Sequence, residues 1–180
     1  MSGSSLLAAV VFDGLGEADA VLNAVSKTLR YEGVRLEGYV QHFSSSGDNS
    51  RSEMWLEDIS RRESLKISQP LGPGARGCRL DIQALTEACG RMEQRLDKTT
   101  ELLILNRFGK SEAEGRGLRS VIVRAMELDI PVLVAVRRNY FEAWKAFCGP
   151  DFVSLGLDKN IAHDWAIEAV KQLRAGQMVI

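Results

Sequence analysis

Apolar positions along the chain follow two different periods, and the period changes from segment to segment. Residues 6–12, 102–105 and 132–136 are almost entirely apolar, without the two-residue alternation of a strand that has one wet face. Such runs are typical of strands that are buried on both faces of a parallel sheet. A further strand is predicted over residues 34–43.

Between these strands, apolar residues recur every three or four positions, which is the pattern of amphipathic helices. The predicted helices cover residues 17–33, 81–96, 111–128, 140–147 and 159–174. Asp81 is expected to cap the second helix, and Ser111 with Glu114 forms a capping-box pair for the third. Alternating strands and helices predict a three-layer α/β fold with a mainly parallel sheet.

Two short segments interrupt this alternation. Residues 53–60 and 64–69 flank the charged stretch Arg61, Arg62 and Glu63 and contain no helical spacing. Two short strands joined by a polar turn are typical of a hairpin. We therefore predict a small β-hairpin insertion in the sheet.

Composition narrows the class of protein. A chain of 180 residues with 45% apolar and 26% charged residues fits a single domain over residues 1–180. A net charge of -1 argues against nucleic acid as a partner. The sequence begins without a basic segment, and its first apolar run is too short for a signal peptide or membrane helix, so we expect no membrane insertion and a cytoplasmic location.

The three cysteines and two histidines suggest no metal site. Cys78, Cys89 and Cys148 lack C-x-x-C spacing, and neither His42 nor His163 has a cysteine or a carboxylate pair at ligand spacing. No serine or cysteine stands in a nucleophile motif, so no catalytic residue is predicted.

The loop after the first strand has the order strand, glycine turn, helix that holds phosphate in many nucleotide-binding proteins. Asp13, Gly14 and Gly16 form it, and they are predicted ligand-binding residues. A dinucleotide fingerprint would need a third glycine where Asp19 stands and an acid near Gln41. The P-loop pattern G-x-x-x-x-G-K-[ST] would fall on Asp13 to Ala20, where its lysine and its hydroxyl residue are both missing, so spacing alone indicates neither motif.

Acidic side chains make this loop unusual. Glu17 and Asp19 could simply stabilise the N-terminus of the helix through its dipole. Beside a bound phosphate each would instead be repulsive by about 1 to 4 kcal/mol at contact distance. A divalent cation such as magnesium, or a basic group from elsewhere, would reverse that preference.

Basic residues follow the later strands, whose carboxyl ends should share one edge of the sheet with the first loop. The predicted ligand-binding residues there are Arg79, Arg107, Gly109, Lys110, Arg116 and Arg137, with Arg76, Arg119 and Arg138 close by. Guanidinium forks suit phosphate, molybdate or carboxylate oxygens, so one hypothesis is an oxyanion or nucleotide pocket. The other is a solvated basic rim that is paired with Glu112, Glu114 and Glu142.

The runs FDGLGEADAVL, GCRLD, LILNRFGKSEAEGRGLR and IPVLVAV resemble a bacterial family of unknown function whose genes often lie beside molybdate ABC transporter genes. That family in turn looks like a degenerate relative of THEP-type nucleoside-triphosphatases, which are P-loop proteins. The resemblance covers nearly the whole chain and implies a P-loop-NTPase-like scaffold with a degenerate Walker A motif.

By position, the resemblance aligns the phosphate-loop lysine with Asp19, the magnesium-binding threonine with Ala20, and a strand-end acidic pair with Asn106 and Arg107. Only Gly109 and Lys110 are retained from the second motif. These departures affect the groups on which phosphoryl transfer relies.

The sequence thus supports three hypotheses. The first is a non-hydrolytic P-loop-like binding or regulatory protein linked to molybdate transport or molybdenum metabolism. Its ligand would be an oxyanion or nucleotide, its partners would be molybdate-transport proteins, and it could form a homodimer. The second is a nucleoside triphosphatase with an atypical phosphate site, and the third is a protein-protein adaptor without a small ligand.

Overall fold

The strands of this computed structural model form one sheet. Their bounds are β1 (Leu7–Phe12), β2 (Leu36–Ser44), β3 (Glu53–Asp58), β4 (Ser64–Lys66), β5 (Leu102–Phe108), β6 (Val132–Arg137) and β7 (Val153–Leu155). The structure describes residues 5–14, 16–44, 53–69 and 80–177. Within those ranges the sheet has seven strands in the order β4-β3-β2-β5-β6-β1-β7.

All pairings among β2, β5, β6, β1 and β7 are parallel, whereas β3 pairs antiparallel with both β2 and β4. The mainly parallel sheet and the hairpin insertion are therefore confirmed. The three strands predicted from continuous apolar runs lie side by side at the centre, and every residue of β1 is buried. Their lack of alternation reflects helices on both faces of the sheet.

Helices cover both faces of the sheet. They are α1 (Glu17–Tyr31), α2 (Ile82–Arg95), α3 (Lys110–Ala113), α4 (Arg119–Glu127), α5 (Phe141–Cys148) and α6 (Lys159–Gln177). One core cluster joins α1 and α6 to the sheet residues Ala8, Val10 and Phe12. The other joins α2, α4 and α5 to the opposite face. The result is the three-layer arrangement that was predicted.

The fifth strand is longer than the sequence indicated. It was predicted to end at Leu105, but β5 continues to Phe108, and Asn106 is only 6% exposed. The polar letters Asn106 and Arg107 concealed this extension because a buried polar side chain breaks an apolar run. This difference places Asn106 inside the sheet, at its carboxyl edge.

The helix predicted over residues 111–128 is broken into α3 and α4. The Glu112 carboxylate, 4% exposed, accepts the backbone N–H groups of Gly109 and Leu118 at 2.9 Å each. Gly117 has a φ of 64°, and a Cβ there would overlap Glu112 Oε1. The capping pair is thus Gly109 and Glu112, and the expectation for Ser111 with Glu114 was wrong.

Two other local features were settled by the structure. Asp81 caps α2, since its carboxylate accepts the Ala84 N–H at 3.0 Å, as predicted. The edge strand β7 was not predicted, because three residues carry too little periodicity to be recognised.

No helix in the described ranges is long and apolar enough to cross a membrane.

At the amino ends of β2 and β5, a buried carboxylate fastens α6 to the sheet. Glu101 accepts Arg174 Nε at 2.7 Å, Arg174 Nη2 at 3.0 Å and the Arg35 backbone N–H at 2.8 Å. The hydrogen bonds from Arg174 lower the pKa of the Glu101 carboxyl below its usual value, although burial opposes this. This contact stabilises the end of the sheet away from the candidate site.

We expect Arg174→Gln to lower the free energy of unfolding at pH 7 by about 1 kcal/mol, because it removes two charge-assisted hydrogen bonds from a half-exposed arginine. A lowered folded-state pKa contributes stability above the unfolded pKa of about 4.3 and loses it as pH falls. Urea unfolding at pH 7 and pH 3.5 should therefore show the variant's deficit shrinking in acid. A deficit that is as large at pH 3.5, or one matched by Arg124→Gln on the surface, would contradict this assignment.

Candidate functional site

The loop between β1 and α1 already binds a carboxylate of its own chain. Gly16, with a φ of 82°, is the residue before α1 and makes the turn into the helix. The Gly14 N–H donates to Glu17 Oε2 at 3.3 Å. A backbone donor that could face a phosphate therefore has an internal partner.

Asp19 and Arg107 form an ion pair beneath this loop. Arg107 Nη2 lies 3.2 Å from Asp19 Oδ1 and 3.3 Å from Oδ2, and Asp19 is 8% exposed. The guanidinium also lies over the Phe12 ring, 5.5 Å from its centroid. A salt bridge thus joins the first turn of α1 to the carboxyl end of β5.

A second ion pair lies at the mouth of the loop. Arg138 Nε donates to both carboxylate oxygens of Asp13 at 2.9 Å. Their side chains are 61% and 67% exposed, so this pair is solvated and weak. Asp13, one of the predicted ligand-binding residues, therefore contacts Arg138, which directly follows β6.

The basic residues after β5 are also paired with acids. Lys110 Nζ lies 3.8 Å from Glu114 Oε1, and Arg116 contacts the other oxygen of the same carboxylate. Gly109 donates its N–H to Glu112, and the Arg119 guanidinium lies 4.4 Å from the centroid of the Phe147 ring. Lys110, at 76% exposure, remains largely open to solvent.

Arg137 differs from the other cations. In the part of the chain that the structure describes, it has no ionic or hydrogen-bonded side-chain partner. It pairs in register with Phe12 at the carboxyl end of β6. Arg79 and Arg76 lie outside the described residues, so the predicted approach of that loop stays a prediction.

Sequence reasoning missed the role of one residue. Asn106 is buried, and among the residues that the structure describes its Nδ2 is one of three buried side-chain atoms without a hydrogen-bond partner, the others being Nε1 of Trp144 and of Trp165. Trp144 packs against Phe108 on the opposite face of the sheet and Trp165 lies in α6, whereas Asn106 adjoins Arg107. The sequence did show a polar residue directly after an apolar strand. Because the strand was predicted to end at Leu105, the burial of Asn106 was not predicted.

The described ranges contain no group of three or more histidine, cysteine, aspartate or glutamate side chains that could hold a metal ion. The acids of the first loop instead contact Arg107, Arg138 and the Gly14 N–H. What the site offers a ligand is therefore a set of N–H donors, most of which have internal carboxylate partners.

The fold matches that of a solved P-loop protein. The crystal structure of THEP1 from the hyperthermophile Aquifex aeolicus superimposes with a TM-score of 0.60 over 93% of this chain and 98% of that one. The sequences are 10% identical over this match, so the likeness concerns the fold. The chain is therefore an α/β protein with a P-loop-NTPase-like fold.

A relative is found in a longer polypeptide. The Molybdenum import ATP-binding protein ModC 2 of Bradyrhizobium diazoefficiens is 32% identical over 159 residues. The match takes in 88% of this chain but spans only 18% of that protein's length.

The model of the family described as protein of unknown function (DUF2478) matches residues 7–165. With most of its length matched, the chain belongs to this family.

Proposed function

We propose that this protein is a non-hydrolytic, P-loop-like binding or regulatory protein of the cytoplasm, linked to molybdate transport or molybdenum metabolism. Its ligand is an oxyanion or a nucleotide that binds at the carboxyl edge of the sheet. The observation that carries the proposal is the reversed ion pair of Asp19 with Arg107. This pair stabilises the loop without a bound phosphate.

The same pair argues against hydrolysis. Phosphoryl transfer needs a cation and a metal-binding hydroxyl next to the phosphates, and acids that hold the metal. By the resemblance, Asp19 and Ala20 stand at the positions of the cation and the hydroxyl, and Asn106 and Arg107 stand at the positions of the acidic pair. The Asp19 carboxylate, 8% exposed and paired with Arg107, supplies no cation that could stabilise a transferred phosphate.

The link to molybdenum is supported by the relative in Bradyrhizobium diazoefficiens. A segment similar to this chain is part of a polypeptide that is named as a molybdenum import ATP-binding protein. Segments joined in one polypeptide commonly serve one process. Under this proposal the present chain binds or regulates proteins of molybdate transport.

The test is turnover and binding on the same preparation. With magnesium and ATP or GTP we expect no phosphate release above buffer, and calorimetry should give heat with at least one of molybdate, tungstate, ATP or GTP. Turnover that is abolished by Lys110→Ala, but retained in the exposed control Lys27→Ala, would overturn the non-hydrolytic proposal.

Two alternatives rest on specific contacts. Lys110 is 76% exposed and only loosely paired, so it could serve an atypical triphosphatase site. The internal carboxylates on Gly14 and Arg107 instead favour an adaptor that needs no small ligand. No heat with any of the four compounds, together with a stable complex with a molybdate-transport protein, would select the adaptor.

A further inference from the structure

One buried donor at the carboxyl edge of the sheet has no acceptor. Asn106 Oδ1 accepts from Arg107 Nε at 3.5 Å, whereas Asn106 Nδ2 is buried and has no partner within the described ranges. Exchanging the two amide atoms would set the amide N–H groups against the guanidinium donor, so Nδ2 is the end that lacks a partner. A buried donor of this kind is unfavourable unless something accepts from it.

The neighbouring strand contributes a second donor, Arg137, which is partly exposed. Asn106 pairs in register with Ala135 of β6, and Arg137 follows two residues later. Ala135 belongs to the core cluster on the α1 face, and side chains two residues apart share a face. Arg137 thus lies on the α1 face, and it has no side-chain partner among the residues that the structure describes.

Arg107 completes the set from the same face. Its guanidinium lies over Phe12, a member of the α1-side cluster, and donates to Asp19 in the first turn of α1. An amide and two guanidinium groups, carried by the adjacent strands β5 and β6, therefore lie on one face at the carboxyl edge of the sheet, where Arg107 reaches the first turn of the 15-residue helix α1. Donors that arrive from several directions match the acceptor oxygens of a tetrahedral oxyanion.

We infer that Asn106 and Arg137 bind a tetrahedral oxyanion, the shared chemistry of molybdate, tungstate, sulfate and phosphate. Arg107 donates to Asn106 Oδ1, so it would join the ligand by exchanging Asp19 for an oxyanion oxygen. This inference rests on the proposed function, which puts the ligand at this edge, and it narrows the ligand from oxyanion or nucleotide to a single oxyanion. Glu17 occupies the Gly14 N–H and Asp13 lies at the loop mouth, so further phosphates would meet acids.

The experiment is calorimetry of the full chain with molybdate, tungstate, sulfate, phosphate and ATP at fixed ionic strength. We expect at least one single oxyanion to bind more tightly than ATP. Asn106→Leu keeps the size of the side chain and removes the buried donor, so it should weaken that binding at least tenfold without lowering Tm. Arg137→Gln should weaken binding at least tenfold, and Arg124→Gln, a matched surface control, should leave it unchanged.

Unchanged affinity in both Asn106→Leu and Arg137→Gln would overturn the inference. So would the absence of binding by all four oxyanions, because Asn106 Nδ2 would then hold only an ordered water. If ATP binds without turnover while no single oxyanion does, the inference fails and the proposed function stands. Turnover of ATP would instead overturn the proposed function itself.

Discussion

Gly38→Ala is expected to prevent the protein from folding to a soluble state. Gly38 has a φ of 135° in the middle of β2, where an L side chain is strained. A Cβ there would lie 2.8 Å from the Ile104 carbonyl carbon and closer still to its oxygen. Ile104 belongs to the adjacent strand β5, and its backbone cannot move without breaking the parallel ladder. Loss of soluble protein, or of at least about 4 kcal/mol in urea unfolding, should follow.

Gly90→Ala is the matched control for this substitution. Gly90 lies within α2, and a Cβ there would meet nothing within 4 Å. Alanine should raise the free energy of unfolding by about 0.5 to 1 kcal/mol, because glycine is a poor helix former. If Gly38→Ala were as stable as the wild type within about 1 kcal/mol, the close approach of β2 and β5 would be wrong.

The central strands could be predicted from sequence because a strand that is buried on both faces consists of a continuous run of apolar residues, which few other structures contain. The apolar runs at residues 6–12 and 132–136 predicted the bounds of β1 and β6 to within one residue. The break between α3 and α4 could not be predicted in the same way. It depends on where the Glu112 carboxylate finds its donors, and apolar spacing over residues 111–128 carries no record of that.

The candidate site shows the same limit. The resemblance aligned Asp19 and Arg107 with a lysine and an acid, but their contact joins residues 88 positions apart. It arises because α1, which connects β1 to β2, crosses β6 and β5, and a strand order of this kind is not encoded in local periodicity. The burial of Asn106 was hidden for a related reason, since a single polar letter ended the predicted strand.

Reversing the charge of Asp19 should destabilise the protein strongly. Asp19→Lys would set a second cation against Arg107 in a contact where the aspartate side chain is only 10% exposed. We expect a loss of about 3 kcal/mol in the free energy of unfolding, less than for a fully buried pair because Arg107 is 24% exposed. Adding Arg107→Asp restores opposite charges and should recover at least half of that loss in urea unfolding at low ionic strength.

Asp13→Lys is the matched control, since Asp13 faces Arg138 in a pair exposed by more than half on both sides. Its effect should stay within about 1 kcal/mol because water screens that contact. If Asp19→Lys cost no more than Asp13→Lys, or if the double variant recovered nothing, the pair would not be what stabilises the loop. Under the proposed function we also expect no ATP turnover from the double variant, because Ala20, which the resemblance aligns with a magnesium-binding threonine, has no hydroxyl. The double variant thus tests whether Asp19 and Arg107 stabilise the loop through their opposite charges. Phosphoryl transfer would need further groups in addition to a cation at position 19.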